Sequence, residues 1–109
     1  MKNTFSKHII NTLLETIPNL ISEEQYEWTE KLLKRVENLN KRLDKNYQTT
    51  AEIHKQWIDL AQKSGNPKTV IAKQTELILL FIDNDDLNDA AQIYLDLSSK
   101  AIILELLED

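Results

Sequence analysis

The chain has no cysteine, one glycine and two prolines among its 109 residues. Without cysteine it can form neither a disulfide nor a thiolate metal site, which fits a reducing compartment. Sheets and long loops need glycine and proline to turn, so their scarcity favours helices joined by short connections. Aromatic residues are also few, at 6%, but 41% hydrophobic residues are enough to build a core. We therefore expect a single domain over residues 1–109.

Long apolar runs are missing as well. The longest, at residues 77–82, is far shorter than the roughly 20 residues that cross a bilayer. The first residues lack the small-residue cleavage site of a secretory signal. These absences predict a cytoplasmic protein without a membrane partner.

Five amphipathic segments predict an all-α fold, a compact bundle of about five antiparallel helices. The first helix is expected over residues 4–16, because the residue before Pro18 is disfavoured in the α conformation. The second is expected to start at a capping box, in which Ser22 and Gln25 satisfy backbone N–H groups. Its predicted buried seam consists of Trp28, Leu32, Val36, Leu39 and Leu43.

The later helices are bounded by clear turn signals. A second capping box at residues 49–52 predicts the start of the third helix. Gly65 can close that helix in the left-handed conformation, Asn66 can cap the next, and Pro67 suits its first turn. The fourth helix is expected over residues 67–82, with its second half central in the bundle. The fifth follows an acidic turn and should present one apolar face: Leu87, Ala90, Ala91, Tyr94, Leu97, Ala101 and Leu104.

Residues of an enzyme active site are not recognisable. His8 and His54 fall in different predicted helices without a metal-ligand partner at helical spacing, and there is no phosphate loop or nucleophile motif. The acidic turn fails as a calcium loop, since Leu87, Asn88 and Tyr94 occupy positions that need two ligands and a glycine. We expect no enzyme activity, no cofactor and no metal.

Charge is unevenly distributed along the chain. Residues 1–82 carry twelve Lys/Arg and ten Asp/Glu, a net charge of +2, whereas residues 83–109 carry one and eight, a net charge of −7. A basic stripe on the second helix could bind anions such as phosphates, or could simply be a solvated face. Its members are Lys34, Arg35, Lys41, Arg42 and Lys45. Because the whole chain is acidic, nucleic acid is the less favoured partner.

The C-terminal helix has more apolar side chains than one face can hold. Either this helix is central and wrapped by the others, or its surplus forms an interface, because contiguous apolar surface on a soluble protein usually binds something. The predicted partner-binding residues are Leu95, Ile102, Ile103, Leu106 and Leu107. Self-association as a homodimer and a foreign protein both satisfy this prediction.

The stretch at residues 73–101 resembles a tetratricopeptide-type helical hairpin, with Phe81, Ala90 and Tyr94 at the spacing that packs its two helices. Residues 29–33 and 51–62 also resemble the helical domain shared by a COPII coat subunit and the steroid receptor RNA activator protein. Both resemblances imply paired helices. From the residues themselves we expect a non-enzymatic protein-binding module, such as an adaptor, regulator or small inhibitor. The alternative is a nucleic-acid-associated accessory subunit that uses the basic stripe.

Overall fold

The computed structural model describes the backbone of residues 2–43 and 47–108 and the side chains of residues 7–42 and 47–99. The described backbone is helical apart from short turns and contains no strand. In chain order its helices are α1 (Lys2–Ser22), α2 (Tyr26–Leu43), α3 (Tyr47–Lys63), α4 (Pro67–Asp83) and α5 (Leu87–Glu108). The predicted all-α bundle of five helices is therefore confirmed.

Helix α3 is the central element, because it contributes to two separate apolar clusters. On one side Ile53, Trp57 and Leu60 pack with buried residues of α1 and α2. On the other side its remaining buried residues belong to a second cluster, which also includes buried residues of α4 and Ala90 of α5. Within the described chain α5 packs against α4 alone, while α1, α2 and α3 all contact one another. The fold is thus a three-helix bundle extended by an α4–α5 hairpin.

The predicted boundary between α1 and α2 is wrong. Helix α1 continues through Pro18 and ends at Ser22, so Ser22 does not cap α2, which starts at Tyr26. A proline inside a helix costs about 3 kcal/mol. Ile17 and Ile21, on either side of Pro18, are both buried, and each contributes roughly 1.5–3 kcal/mol. Their combined burial outweighs the cost of the proline.

The start of α3 also differs from the prediction. The helix begins at Tyr47, ahead of the expected capping box at residues 49–52. The Thr50 hydroxyl instead accepts a hydrogen bond from Asn40 Nδ2 of α2, at 2.9 Å. Tyr47 packs edge-on against Phe81 of α4, with ring centroids 6.2 Å apart. Contacts with other helices therefore hold this end of α3.

The buried face of α2 includes Val36, as predicted, but its other members lie one position after the predicted residues. Trp28 is 65% exposed, and Leu32 and Leu39 are only half-buried. The buried line consists of Thr29, Leu33, Val36 and Asn40. Its two polar members are tolerated because each is hydrogen-bonded, the Thr29 hydroxyl donating to the Gln25 carbonyl at 2.7 Å. A search for apolar spacing alone misses such residues. Leu43 lies outside the described side chains.

Three of the turns share one left-handed geometry. Glu24, Gly65 and Asp85 all have positive φ and end α1, α3 and α4, respectively. After each, the next backbone N–H returns to a carbonyl five residues earlier, as from Asn66 to Ala61 at 2.8 Å. Asn66 caps α4 by accepting from the Thr69 N–H, with Pro67 in the first turn. The predicted turn at Gly65 is confirmed.

The second half of α4 is not central. Leu77 and Phe81 are buried, but Leu79 and Ile82 are exposed. The reason is that α4 lies between only two helices, α3 and α5, which leaves one side of it in water. The apolar run at residues 77–82 therefore covers more of the helix surface than its neighbours can bury.

The predicted apolar face of α5 is buried only in part. Ala90 is buried and Leu97 is half-buried, but Leu87, Ala91 and Tyr94 are exposed. Phe81 and Ala90 share one cluster, as the resemblance to a tetratricopeptide hairpin implies, whereas Tyr94 does not join it. The side chains of Ala101 and Leu104 lie outside the described residues.

Candidate protein-binding surface

Exposed apolar side chains are concentrated on the α4–α5 hairpin. Among the described residues, seven large hydrophobic side chains are exposed, and five of them fall between residues 79 and 95. We call these five the hairpin surface: Leu79, Ile82, Leu87, Tyr94 and Leu95. They stay exposed because, in the described chain, α5 has only α4 as a neighbour and α4 has only α3 and α5. One signal for Leu79 and Ile82 was present in the sequence, namely the apolar run at residues 77–82, which surrounds its helix.

Of the five predicted partner-binding residues, one has a side chain that the structure describes. Leu95 is 68% exposed, more than any other large hydrophobic residue among the described side chains. The remaining four belong to a helical stretch of backbone, but their side chains lie outside the described residues. These four are Ile102, Ile103, Leu106 and Leu107. Sequence reasoning assigned Leu87 and Tyr94 to the core face of α5, and in the structure they are exposed.

Carboxylates surround the turn in the middle of the hairpin surface. Asp83, Asp85 and Asp89 are exposed and stand within a few residues of Ile82 and Leu87. Asp89 lies in the first turn of α5, where a negative charge complements the helix dipole. The hairpin surface is therefore apolar, with exposed carboxylates close to it in the chain.

Asp86 has a structural role that separates it from the other acids of this turn. It accepts a hydrogen bond from the Tyr47 hydroxyl. This bond links the turn to the start of α3. Burial and this hydrogen bond raise the pKa of Tyr47 to about 12, and the negative charges of Asp86 and Asp89 act in the same direction. The neutral, hydrogen-bonded phenol is therefore the form that the fold stabilises.

A pocket of about 290 Å³ lies beside His54, between α2, α3 and α4. Polar groups at the pocket already bind one another: Asn40 donates to Thr50, and Tyr47 donates to Asp86. His54 Nδ1 is 2.9 Å from the Thr50 carbonyl, and Nε2 is 3.2 Å from the Glu76 carboxylate. Both ring nitrogens thus face acceptors within the protein. This arrangement ties α3 to α4, and it differs from a poised general base, which needs a ring nitrogen free for substrate.

The other predicted histidine, His8, is exposed on α1, on a different helix from His54. In the part of the chain that the structure describes, no group of three His, Asp or Glu side chains could hold a metal ion. Nor does any described helix combine the length and apolar character needed to cross a membrane.

The basic stripe is exposed on α2. Lys34, Arg35, Lys41 and Arg42 all face solvent, and Lys34 forms a 3.0 Å ion pair with Glu30 on the same helix. Lys45 lies outside the described residues. An exposed ion pair of this kind contributes little stability.

A groove of about 430 Å³ runs beside this stripe, between the end of α1 and the first half of α2. Leu20, Trp28 and Leu32 give it an apolar floor, and its other lining residues are Lys31, Lys34 and Arg35. The Lys31 ammonium lies 5.3 Å from the centroid of the Trp28 ring. We call this the tryptophan groove. Sequence reasoning missed it because it assigned Trp28 to the core.

Comparison with known proteins adds no further assignment. Neither a protein-family model, a curated protein nor a solved structure matches the chain.

Proposed function

We propose that the protein is a non-enzymatic binding module, an adaptor, regulator or small inhibitor, that recognises another polypeptide through its hairpin surface. One observation carries the proposal: five of the seven exposed large hydrophobic residues of the described chain lie on α4 and α5. Exposing a side chain of this size forgoes roughly 1.5–3 kcal/mol relative to burying it. Contiguous apolar surface is typical of a binding site, and we propose that these five side chains form one.

The chemistry of the surface defines the kind of partner. Aromatic and aliphatic side chains such as Tyr94 and Leu95 supply contact area, while Asp83 and Asp89 favour basic groups at the rim. An amphipathic helix with an apolar face flanked by Lys or Arg offers both features. We place the protein in the cytoplasm as part of the same proposal, since a chain without cysteine needs no oxidising compartment to fold.

A defined peptide tests the proposal. The probe is a synthetic helix of about 18 residues, five turns, with a leucine face flanked by lysines. We expect its titration into the isotope-labelled chain to shift amide resonances of α4 and α5. The double variant Leu87→Ser/Leu95→Ser should weaken binding at least about ten-fold, because it removes apolar contact at two exposed positions.

Two controls make this experiment decisive. Ile9→Ser makes the same kind of change at an exposed position of α1 and should leave the affinity unchanged. A peptide with glutamate in place of each lysine should bind more weakly, because it meets the acidic rim with like charge. Absence of binding by the basic peptide, or equal loss in both variants, would contradict the proposal.

The alternative function, a nucleic-acid-associated subunit, is favoured by one observation. Trp28 stands exposed beside Lys31, Lys34 and Arg35, and an exposed aromatic ring within a basic patch can stack on a base. The net charge of −5 opposes it. Salt-dependent binding of a nonspecific oligonucleotide tests this alternative, and no binding at low ionic strength would dispose of it.

A further inference from the structure

The tryptophan groove is apolar and basic, which are the two properties expected of a partner for the hairpin surface. It is apolar at Leu20, Trp28 and Leu32, and it is lined by three cationic side chains. The hairpin surface is apolar with exposed carboxylates. One chain therefore carries two surfaces that are complementary in both hydrophobicity and charge.

The two surfaces cannot cover each other within one molecule. The tryptophan groove is formed by α1 and α2, and the hairpin surface by α4 and α5. In the described chain α5 packs against α4 alone and α2 packs against α1 and α3, in a molecule 53 Å long. Complementary surfaces that the fold holds apart in this way can meet only between copies.

We propose that the tryptophan groove of one copy binds the hairpin surface of a second copy. This inference rests on the proposed function, and it names the partner of the hairpin surface as the chain itself. Apolar side chains such as Leu87 and Leu95 enter the groove beside Trp28, and Lys34 and Arg35 face Asp83 and Asp89. The contact joins two different surfaces, so each added copy leaves one groove and one hairpin surface free. Assembly proceeds head to tail and grows with concentration, unless a ring closes.

The wild-type chain gives the first readout. Sedimentation velocity up to about 1 mM should show an average mass that rises beyond that of a dimer, because a Kd as weak as 1 mM is still populated there. Added salt should lower the mass, since the facing charges are exposed to solvent. Trp28→Ala should abolish assembly, whereas Ile9→Ala, at another exposed apolar position, should not.

A pair of charge-reversal variants tests the pairing itself. Lys34→Glu/Arg35→Glu disables the groove, and Asp83→Lys/Asp89→Lys disables the hairpin surface. Each variant alone should remain monomeric and fully helical by circular dichroism. Mixed together, they should assemble again, because the mixture contains one intact copy of each surface and the two reversed surfaces carry opposite charges.

Other outcomes overturn the inference. A wild-type chain that stays monomeric at about 1 mM, or whose self-association is unchanged in Trp28→Ala, contradicts the inference. If a single-stranded oligothymidylate binds with salt dependence and Trp28→Ala abolishes that binding while the mass stays monomeric, the groove belongs to nucleic acid. A monomeric chain that still binds the basic peptide through Leu87 and Leu95 refutes the self-association but leaves the proposed function standing.

Discussion

The three-helix bundle of α1, α2 and α3 buries its apolar side chains more completely than the α4–α5 hairpin does. Each of α1, α2 and α3 has two neighbours within its bundle, so Ile17, Leu33 and Val36 are completely buried. In the described chain α5 has one neighbour, and most of its large apolar side chains remain in contact with water. The comparison shows that an apolar residue on a helix is buried only where another helix covers it.

The largest expected effect comes from removing one core leucine on each side of α3. Leu33→Ala and Leu77→Ala should each lower the free energy of unfolding by about 2–5 kcal/mol, because both side chains are fully buried. Chemical denaturation measures this loss. Hydrogen exchange then sharpens the comparison: Leu77→Ala should accelerate exchange in α5 more than in α1, since the hairpin can open locally.

Exposed partners on the same helices provide the control. Trp28→Ala and Leu79→Ala should change the free energy of unfolding by no more than about 0.5 kcal/mol. A loss at Leu79 as large as that at Leu77 would mean that the second half of α4 is covered on all sides. The contrast between the two parts of the molecule would then disappear.

A smaller effect is expected at the left-handed turns. Gly65→Ala should cost about 1 kcal/mol, because φ is +75° and a side chain is strained there. No atom lies within 4 Å of the added Cβ, so the cost comes from the backbone alone. Glu24→Gly, at the equivalent position of the α1–α2 turn, should stabilise the fold by less than this amount, since glycine also gains entropy in the unfolded chain.

Thermal unfolding of the two variants checks the prediction. Opposite signs at the two turns are expected. A loss of stability in Glu24→Gly would show that its side chain makes an interaction that outweighs the left-handed strain, and the two turns would then not be equivalent.

The smallest effect concerns the hydrogen bond that joins the hairpin to α3. The pKa of Tyr47 is about 12 in the folded chain and 10.0 when unperturbed, so the folded state holds its phenol proton more tightly. Its contribution to stability is complete below pH 10 and is lost as the pH rises from 10 to 12. The free energy of unfolding of the wild type, measured by chemical denaturation, should therefore fall over this window.

Tyr47→Phe provides the matched comparison. This variant lacks the hydroxyl that donates a hydrogen bond to Asp86. Its free energy of unfolding should therefore be lower at neutral pH and should depend less on pH between pH 10 and 12. Ultraviolet titration of tyrosinate should lose its most alkaline component in this variant. An unchanged titration curve would contradict the assignment of that component to Tyr47.

Much of the fold was predictable because the relevant signals are local. The turn at Gly65, Asn66 and Pro67 was correct, since its left-handed closure, cap and first turn depend on adjacent residues. The predictions at Ser22 and Pro18 failed because burial of Ile17 and Ile21, a contact between helices, outweighs the local preference. The candidate site was predicted only in part: Leu95 was named, whereas Trp28 and Leu87 were assigned to the core.

By itself the sequence determined the helical class, the number of helices, the turn at Gly65 and the acidic character of the last quarter of the chain, because periodicity, turn chemistry and charge belong to short segments. The tertiary structure alone decided which apolar faces are covered. A helix with two neighbours buries a broad face, and one with a single neighbour leaves part of its apolar surface in water. That difference leaves Leu87, Tyr94 and Leu95 of α5 exposed.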